Sequence, residues 1–200
     1  MKIAVLATDD QWKELMDATI RQHCTRMTGV KDVPTDTDAF LVLNEVDLFD
    51  FTQTSKPVLI NAVCDTLQEL NVPDNVCRIN GWNSFLLRPT WEIAGNLIPS
   101  IQLVCQSLGK EIIAVPDEPG FIAARIISMI INEAYFTLEQ NISSKQEIDI
   151  AMKTGTNYPY GPFEWASLIG LHSIFNLLQK LAGADKRYLP CALLKHESLT

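Results

Sequence analysis

The stretch Pro116-Asp117-Glu118-Pro119-Gly120 decides how this chain is divided. Proline and glycine interrupt regular structure, and so dense a cluster of turn-forming residues is typical of a boundary between domains. Before this stretch, short apolar runs alternate with helix-compatible segments, whereas after it the apolar residues recur at helical spacing. We therefore predict two domains, residues 1–115 and residues 116–200.

The first domain has the pattern of an α/β fold. Its apolar runs are short and continuous, as in the strands of a parallel sheet that is covered on both faces. These runs are Ile3–Ala7, Ala39–Leu43, Pro57–Ala62, Val76–Asn80 and Ile112–Val115, with Thr25–Met27 as a further candidate. The segments between them favour helices at Asp10–Arg21, Thr66–Asn71 and Glu92–Gly109. Gly109 is a suitable C-terminal cap for the last of these helices.

The second domain reads as helix throughout. Phe121–Gln140 is apolar on nearly all sides, so it must be enclosed by other helices or by a second subunit. Ser144 followed by Glu147 forms a capping box that begins a short helix. A further helix is predicted at Phe163–Leu181, and the apolar tail Arg187–Lys195 is expected to pack against it. The prediction is an all-α domain.

Composition excludes several classes of function. The 200 residues carry a net charge of −8, and no cluster of Lys and Arg offers a nucleic-acid surface. The most apolar stretch, Phe121–Leu138, is interrupted by Arg125 and Glu133 and does not predict a membrane span. The 5 cysteines are scattered, without the spacing of a zinc site or a disulfide framework. We therefore expect a cytoplasmic protein.

Several linked motifs of the second half resemble the C-terminal domain of the 3-hydroxyacyl-CoA dehydrogenases over roughly residues 110–196. The motifs are Asp117-Glu118-Pro119-Gly120-Phe121-Ile122, Arg125-Ile126-Ile127, Asn132-Glu133-Ala134, Ser144 with Ile148-Asp149 and Ala151-Met152, Tyr158-Pro159-Tyr160-Gly161-Pro162-Phe163-Glu164, Ile169-Gly170-Leu171 and Arg187-Tyr188-Leu189-Pro190. The resemblance implies a Rossmann-like N-terminal domain that binds NAD. It also implies a helical domain of the 6-phosphogluconate dehydrogenase-like type, which forms a homodimer through the Phe121–Gln140 helix and takes an acyl-CoA ligand.

The turn after the first strand departs from a dinucleotide-binding pattern. Such a turn carries Gly-x-Gly-x-x-Gly, which lets the backbone approach a pyrophosphate at the next helix N-terminus. Here Thr8-Asp9-Asp10-Gln11-Trp12-Lys13 contains no glycine, and its two carboxylates oppose a pyrophosphate. We interpret Asp9 or Asp10 as the N-cap of the following helix. The connection from Ala7 to Ala39 is only ~30 residues, which is short for the family. No ribose-binding acid is evident there, so conventional NAD binding is expected to be lost.

The acid–base pair of the resemblance is degenerate. The dehydrogenases use a His as the base and a Glu that orients it. The best local match places Asn83 at the His position and Glu92 at the Glu position. No alignment restores the base, because no His lies between His23 and His172. An Asn side chain does not accept a proton near pH 7.

Other polar positions of the resemblance are also replaced. The Asn that helps to hold the substrate carbonyl corresponds to Ala124, and a Ser of the family corresponds to Val63 or Cys64. We interpret His172 as a surface or interface residue, His23 as a residue at a helix end, and Cys64 as a thiol without a nearby base. The aromatic group Trp82, Phe85 and Trp91 could line a ligand cleft, although core packing is favoured.

These observations lead to one hypothesis and two rivals. The hypothesis is a divergent, shortened 3-hydroxyacyl-CoA dehydrogenase family protein that is linked to fatty acyl-CoA metabolism but lacks NAD-dependent catalysis. The first rival is an active NAD-dependent 3-hydroxyacyl-CoA (3-hydroxybutyryl-CoA) dehydrogenase, an oxidoreductase with a remodelled site in which water or Glu92 is the base. The second is a structural partner that heterodimerises with a full-length dehydrogenase.

Overall fold

The computed structural model describes residues 1–16 and 18–199, and the chain divides into two compact units. The first unit is Met1–Phe121 and the second is Ile122–Thr200. Two residues of the predicted elements, Asp17 in the first predicted helix and Thr200 at the end of the second domain, lie outside the described residues.

The first unit is built on a 7-stranded sheet. Its strands are β1 Ile3–Leu6, β2 Cys24–Arg26, β3 Ala39–Val42, β4 Val58–Asn61, β5 Val76–Ile79, β6 Thr90–Gly95 and β7 Glu111–Ala114. They lie in the order β2-β1-β3-β4-β5-β6-β7. The strands from β2 to β5 in this order run parallel to one another, β6 is antiparallel to β5, and β7 is parallel to β6. The classic dinucleotide-binding order 3-2-1-4-5-6 has a further strand beyond the one that corresponds to β2. The described residues form no such strand, because the connection before Ala39 is short.

Alternate residues of each strand face the two sides of the sheet, and both sides are buried. Ile3 and Val5 belong to one apolar cluster, and Ala4 and Leu6 belong to the other. The helices of this unit are α1 Asp9–Leu15, α2 Ala18–Arg21, α3 Leu67–Leu70 and α4 Pro99–Ser107. Such double coverage explains why the strands are continuously apolar, and it confirms the predicted α/β layering.

One predicted helix of the first unit is wrong in its first half. Residues Thr90–Gly95 form a strand, and the helix begins only at Pro99. In the strand, Trp91 and Ile93 are buried while Thr90 and Glu92 are half-buried, which is the alternation of a pleated strand. Pro99 sets the later start, because a proline favours the first helical turn and disfavours the helical conformation in the residue before it. Glu92 is therefore a strand residue.

The boundary between the units lies after Phe121 rather than after residue 115. Arg78 of β5 is completely buried, and its Nε donates to Asp117 Oδ1 at 2.5 Å. A second guanidinium nitrogen donates to the Glu118 carbonyl at 2.5 Å, and the ring of Phe121 lies 4.6 Å from the guanidinium carbon. These contacts hold residues 117–121 in the first unit.

The second unit consists of helices. They are α5 Ala123–Glu139, α6 Lys145–Thr156, α7 Pro162–Ile169, α8 Leu171–Ala184 and α9 Ala192–Ser198. The capping box at Ser144 is confirmed, because its hydroxyl accepts from the Glu147 amide and the Glu147 side chain reaches back to the Ser144 amide. The tail packs as predicted, with Tyr188, Cys191 and Leu194 buried.

The predicted helix Phe163–Leu181 is two helices. Gly170 separates α7 from α8 with a φ of +92°, a conformation that L-residues rarely adopt and that ends the first helix. The start of α7 is fixed by Asp149 of α6, whose carboxylate accepts from the amides of Phe163 and Glu164 at 2.8 and 3.2 Å. Burial raises the pKa of Asp149, although the two amides oppose that rise.

A search of the described helices finds none that combines the length and the apolar character required to cross a membrane. The same residues contain no group of three His, Cys, Asp or Glu side chains placed to hold a metal ion.

Candidate functional site

The candidate site is the carboxyl edge of the sheet around β1 and β3. The chain leaves β1 toward β2 on one side and then returns past β1 to β3 on the other. In open α/β sheets, ligands bind at the carboxyl ends of the strands where the strand order reverses in this way. The turn between β1 and α1 is therefore the position at which a dinucleotide would bind.

The helix after this turn is capped by Thr8, so the expectation that Asp9 or Asp10 is the N-cap is wrong. The Thr8 hydroxyl accepts from the Gln11 amide at 3.2 Å, and the Gln11 Oε1 accepts from the Thr8 amide at 3.1 Å. Asp9 and Asp10 occupy the first turn, where their negative charge favours the helix N-terminus. Thr8 is the better cap because Gln11, three residues on, completes a reciprocal capping box.

Gln11 then connects three strand ends. Its side chain is buried, and Nε2 donates to the carbonyl of Leu43, beyond β3, at 3.1 Å and to that of Gly81, beyond β5, at 3.3 Å. Both the oxygen and the nitrogen of this amide side chain therefore form hydrogen bonds with the backbone of this edge. The sequence analysis noted only that Gln11 is not glycine.

Asn61, the last residue of β4, continues the same network. Its Nδ2 donates to the Leu43 carbonyl at 3.1 Å, and its Oδ1 accepts from the Gly81 amide at 3.0 Å. A Cβ atom at position 81 would lie 2.9 Å from the Asn61 Cβ, so this close approach requires glycine. Gly81 serves the packing of strand ends rather than the approach of a phosphate.

An arginine lies where a ribose-binding acid is expected. Arg26 is the final residue of β2, and it donates to the Asp9 carboxylate at 2.7 Å and to the Ala7 carbonyl at 2.9 Å. In dinucleotide-binding domains, an acidic residue about 20 positions after the glycine turn holds the ribose hydroxyl. Arg26 lies in the candidate strand Thr25–Met27. Its place in that strand was the sequence feature that could have pointed to its role.

These residues do not fit a dinucleotide cofactor. The turn has no glycine to admit the pyrophosphate, and two carboxylates stand beside it. Gln11 and Asn61 engage the edge with hydrogen bonds, and Arg26 replaces the ribose-binding acid. The site thus differs from an NAD site in each of the features that such a site needs.

The two residues at the acid–base positions lie on different elements of the same edge. Asn83 is half-buried in the turn that follows β5, and Glu92 is half-buried on β6. Ile79 pairs with Ile93 in the antiparallel ladder, so Glu92 lies opposite Asn80, the first residue after β5. Burial lowers the pKa of Arg88, while the charges of Glu92 and Glu14 raise it, so Arg88 is a charged neighbour of both carboxylates.

A residue that the sequence analysis missed, Glu14 of α1, holds the turn after β5. Its carboxylate accepts from the amides of Ser84, Leu86 and Leu87 at 2.8, 2.9 and 3.3 Å. The partners are about 70 residues apart in the chain. No local pattern therefore indicates the contact.

The remaining candidates are structural. The aromatic group Trp82, Phe85 and Trp91 is buried in the core, as the sequence analysis favoured. Ala124 and Val63, at positions that are polar in the resemblance, are buried as well. His172 is exposed on α8, and His23 contacts the Met1 carbonyl at 3.3 Å.

The second unit is similar to a domain of known proteins. Residues 120–197 match the family model described as 3-hydroxyacyl-CoA dehydrogenase, C-terminal domain. A 3-hydroxyadipyl-CoA dehydrogenase of Escherichia coli K12 is 42% identical over 96 residues, which are 47% of this chain and 20% of that protein. For the first three curated relatives, the matched part is between 20% and 34% of their length.

Two comparisons extend over almost the whole chain. A 3-hydroxybutyryl-CoA dehydrogenase of Clostridioides difficile is 29% identical over 215 aligned residues, covering 94% of this chain and 75% of that protein. The crystal structure of (S)-3-hydroxybutyryl-CoA dehydrogenase from Ralstonia eutropha matches with a TM-score of 0.70 at 19% identity, covering 98% of this chain and 92% of that one. At this identity, the structural match shows a shared fold.

Proposed function

We propose that this chain, which belongs to the 3-hydroxyacyl-CoA dehydrogenase family, lacks NAD-dependent hydride transfer and acts as a non-catalytic protein linked to fatty acyl-CoA metabolism. The observation that carries the proposal is the pair of hydrogen bonds from Gln11 to the carbonyls of Leu43 and Gly81. Through these bonds, the Gln11 side chain connects the two strand ends between which a dinucleotide would lie.

Displacing Gln11 to admit a cofactor is costly. A buried carbonyl left without a donor costs about 1–3 kcal/mol, and the Gly81 carbonyl would lose the Gln11 donor, whereas the Leu43 carbonyl would keep Asn61. An entering pyrophosphate would also face the negative charges of Asp9 and Asp10, with no glycine amides in compensation. Both effects oppose binding of NAD.

The acid–base positions support the same proposal. Hydride removal from a 3-hydroxy group needs a base that takes the hydroxyl proton, and His is suited to that role near pH 7. Asn83 is not a base, and the charge of Glu92 is matched by Arg88 rather than by an imidazolium. Neither position therefore offers the chemistry of the dehydrogenases.

The proposed partners follow from the family and from α5. Ile122 and Ile126, at the start of that helix, are 50% and 53% exposed, and exposed isoleucines on an apolar helix favour association. We propose a homodimer through the Phe121–Gln140 segment, an acyl-CoA as the ligand class and the cytoplasm as the location. Light scattering tests the dimer: a monomer would instead favour heterodimerisation with a full-length dehydrogenase.

A direct test compares this protein with the Clostridioides difficile relative. Each is incubated with acetoacetyl-CoA and NADH, and oxidation of NADH is followed by its absorbance. We expect turnover by the relative and none by this protein. In a separate titration up to millimolar NADH, we expect the fluorescence of NADH to be the same with and without this protein. Turnover at ordinary enzyme rates (about 1–1,000 per second) would disprove the proposal.

The rival function is an active NAD-dependent dehydrogenase with a remodelled site, and the extensive alignment with the Clostridioides difficile enzyme favours it. In this rival, water or Glu92 takes the proton. Any turnover that is detected should then fall on substitution Glu92→Gln if Glu92 is the base, and persist if water is. Exposed Glu111 on β7, changed to Gln, provides the matched control.

A further inference from the structure

We propose that the turn after β5 is an oxyanion-binding site and that the Glu14 carboxylate is its built-in occupant. The amides of Ser84, Leu86 and Leu87 all donate to this carboxylate, and two of the three hydrogen bonds are shorter than 3.0 Å. Successive backbone amides that converge in this way form a concave anion site. The proposal does not depend on whether the protein has lost hydride transfer.

The backbone of this turn is shaped for convergence. Ser84 has a φ of +78°, which is uncommon for a residue with a side chain. Lys110 Nζ donates to the carbonyls of Leu86 and Arg88 at 2.7 and 3.0 Å. Two carbonyl oxygens of the turn therefore bind a cation, while its amides bind an anion.

Asn80 supplies an independent indication of a polar ligand. Only 6% of this residue is exposed, and its Oδ1 accepts from the Trp82 amide of the same turn at 3.4 Å. Its Nδ2 has no hydrogen-bond partner within the described part of the chain, and neither does the buried Ser84 hydroxyl. Buried donors without acceptors are rare and are explained by a missing partner such as a water or an ion. Here both belong to the turn that binds Glu14.

The local charges also suit an anion. Arg88 is half-buried, with its guanidinium carbon 4.2 Å from the ring centre of Phe85, and it interacts electrostatically with Glu14 and Glu92. The ligand class is therefore a small oxyanion, either a carboxylate or a phosphate. In the native chain Glu14 provides that group for the three amides, while Asn80 Nδ2 and the Ser84 hydroxyl keep no partner within the described residues.

The test is chemical rescue of Glu14→Ala in the full chain. Removing the carboxylate leaves three amides without their acceptor, and we expect the melting temperature to fall by about 5 °C. Sodium formate should restore about half of this loss through binding, relative to sodium chloride at equal ionic strength. The same measurement is repeated with inorganic phosphate. The comparison shows whether the site prefers a tetrahedral oxyanion or the planar formate. Rescue by either anion supports the proposal.

Controls separate this effect from general stabilisation by salt. Asp10→Ala on the same helix, and the native protein, should show no formate-specific gain, because Asp10 is exposed and Glu14 is in place. Glu14→Gln should resist rescue, since its side chain still fills the site. In Glu14→Ala, the amide signals of Ser84, Leu86 and Leu87 should shift saturably with formate in NMR spectra.

Two results would overturn the proposal: equal effects of formate and chloride on Glu14→Ala, or equal stabilisation of all variants by formate. If Glu14→Ala is unfolded in chloride, the same series is measured as recovery of the folded circular dichroism signal. Recovery specific to formate or phosphate then supports the site, and its absence refutes it.

Discussion

The carboxyl edge of the first unit and the helix junctions of the second differ in what their motif residues do. In the second unit, Ser144 and Asp149 stand where the family resemblance expects them, and both cap helices. In the first unit, the edge at which a dinucleotide is expected carries Gln11 and Asn61, whose side chains bind the ends of strands. The motif residues of the second unit thus hold the fold, and so do these residues at the edge of the first. A strong family match in one unit therefore does not carry an activity to the other.

The largest effect that this comparison predicts is at Arg78, the buried cation of the first unit. We expect Arg78→Ala to lower the free energy of unfolding by about 3–5 kcal/mol. The change removes the fully buried partner of an ion pair whose other side chain, Asp117, is 30% exposed, and also the donor to the carbonyls of Ala62 and Glu118. Urea unfolding followed by fluorescence measures it, with exposed Arg21→Ala as the control. A loss below 1 kcal/mol would mean that residues 117–121 do not depend on Arg78.

Sequence patterns predicted those parts of the fold that depend on neighbouring residues. Five apolar runs gave strands within a residue or two of the observed bounds, and the capping box at Ser144 is present. The segment Glu92–Gly109 was misassigned because a six-residue strand runs almost directly into a helix, and its first half suits either structure. The break at Gly170 was missed because an isolated glycine is tolerated within many helices.

The candidate site was less predictable, because its contacts join distant segments. The sequence alone shows that the turn after the first strand has no glycine and that no His lies between His23 and His172. The bonds of Gln11 to Gly81 and of Glu14 to the turn after β5 span about 70 residues. Only the parallel arrangement of β1, β3, β4 and β5 brings these residues to one edge. The sequence therefore predicts which residue types are absent from this edge, and the structure shows which side chains bind its strand ends.

A smaller effect on stability is expected at Gln11, on the carboxyl edge of the sheet. Gln11→Ala removes two hydrogen bonds to buried carbonyls and half of a capping box, so the free energy of unfolding should fall by about 2 kcal/mol. NADH fluorescence should still show no binding, because Asp9, Asp10 and the missing glycines are unchanged. Exposed Gln106→Ala is the control for stability. A gain of cofactor binding by Gln11→Ala would show that this one side chain, and not the whole edge, excludes NAD.

The smallest effect concerns a charged network of the second unit and depends on pH. Burial opposes ionisation of Glu197, but Lys145 and the Tyr135 hydroxyl, each 2.7 Å away, prevail and hold its pKa below the usual value of 4.5. A carboxyl group whose pKa is lowered by folding stabilises the folded protein at pH values above its unfolded pKa. It loses that contribution as the pH falls through its folded pKa.

We expect Glu197→Gln to lower the free energy of unfolding by about 1 kcal/mol at pH 7, since the ion pair with Lys145 is partly exposed. The difference from the native protein should shrink below about pH 4. Urea unfolding across this range measures it, with exposed Glu111→Gln as the control. A difference that stays constant with pH would assign the role of Glu197 to packing rather than to its charge.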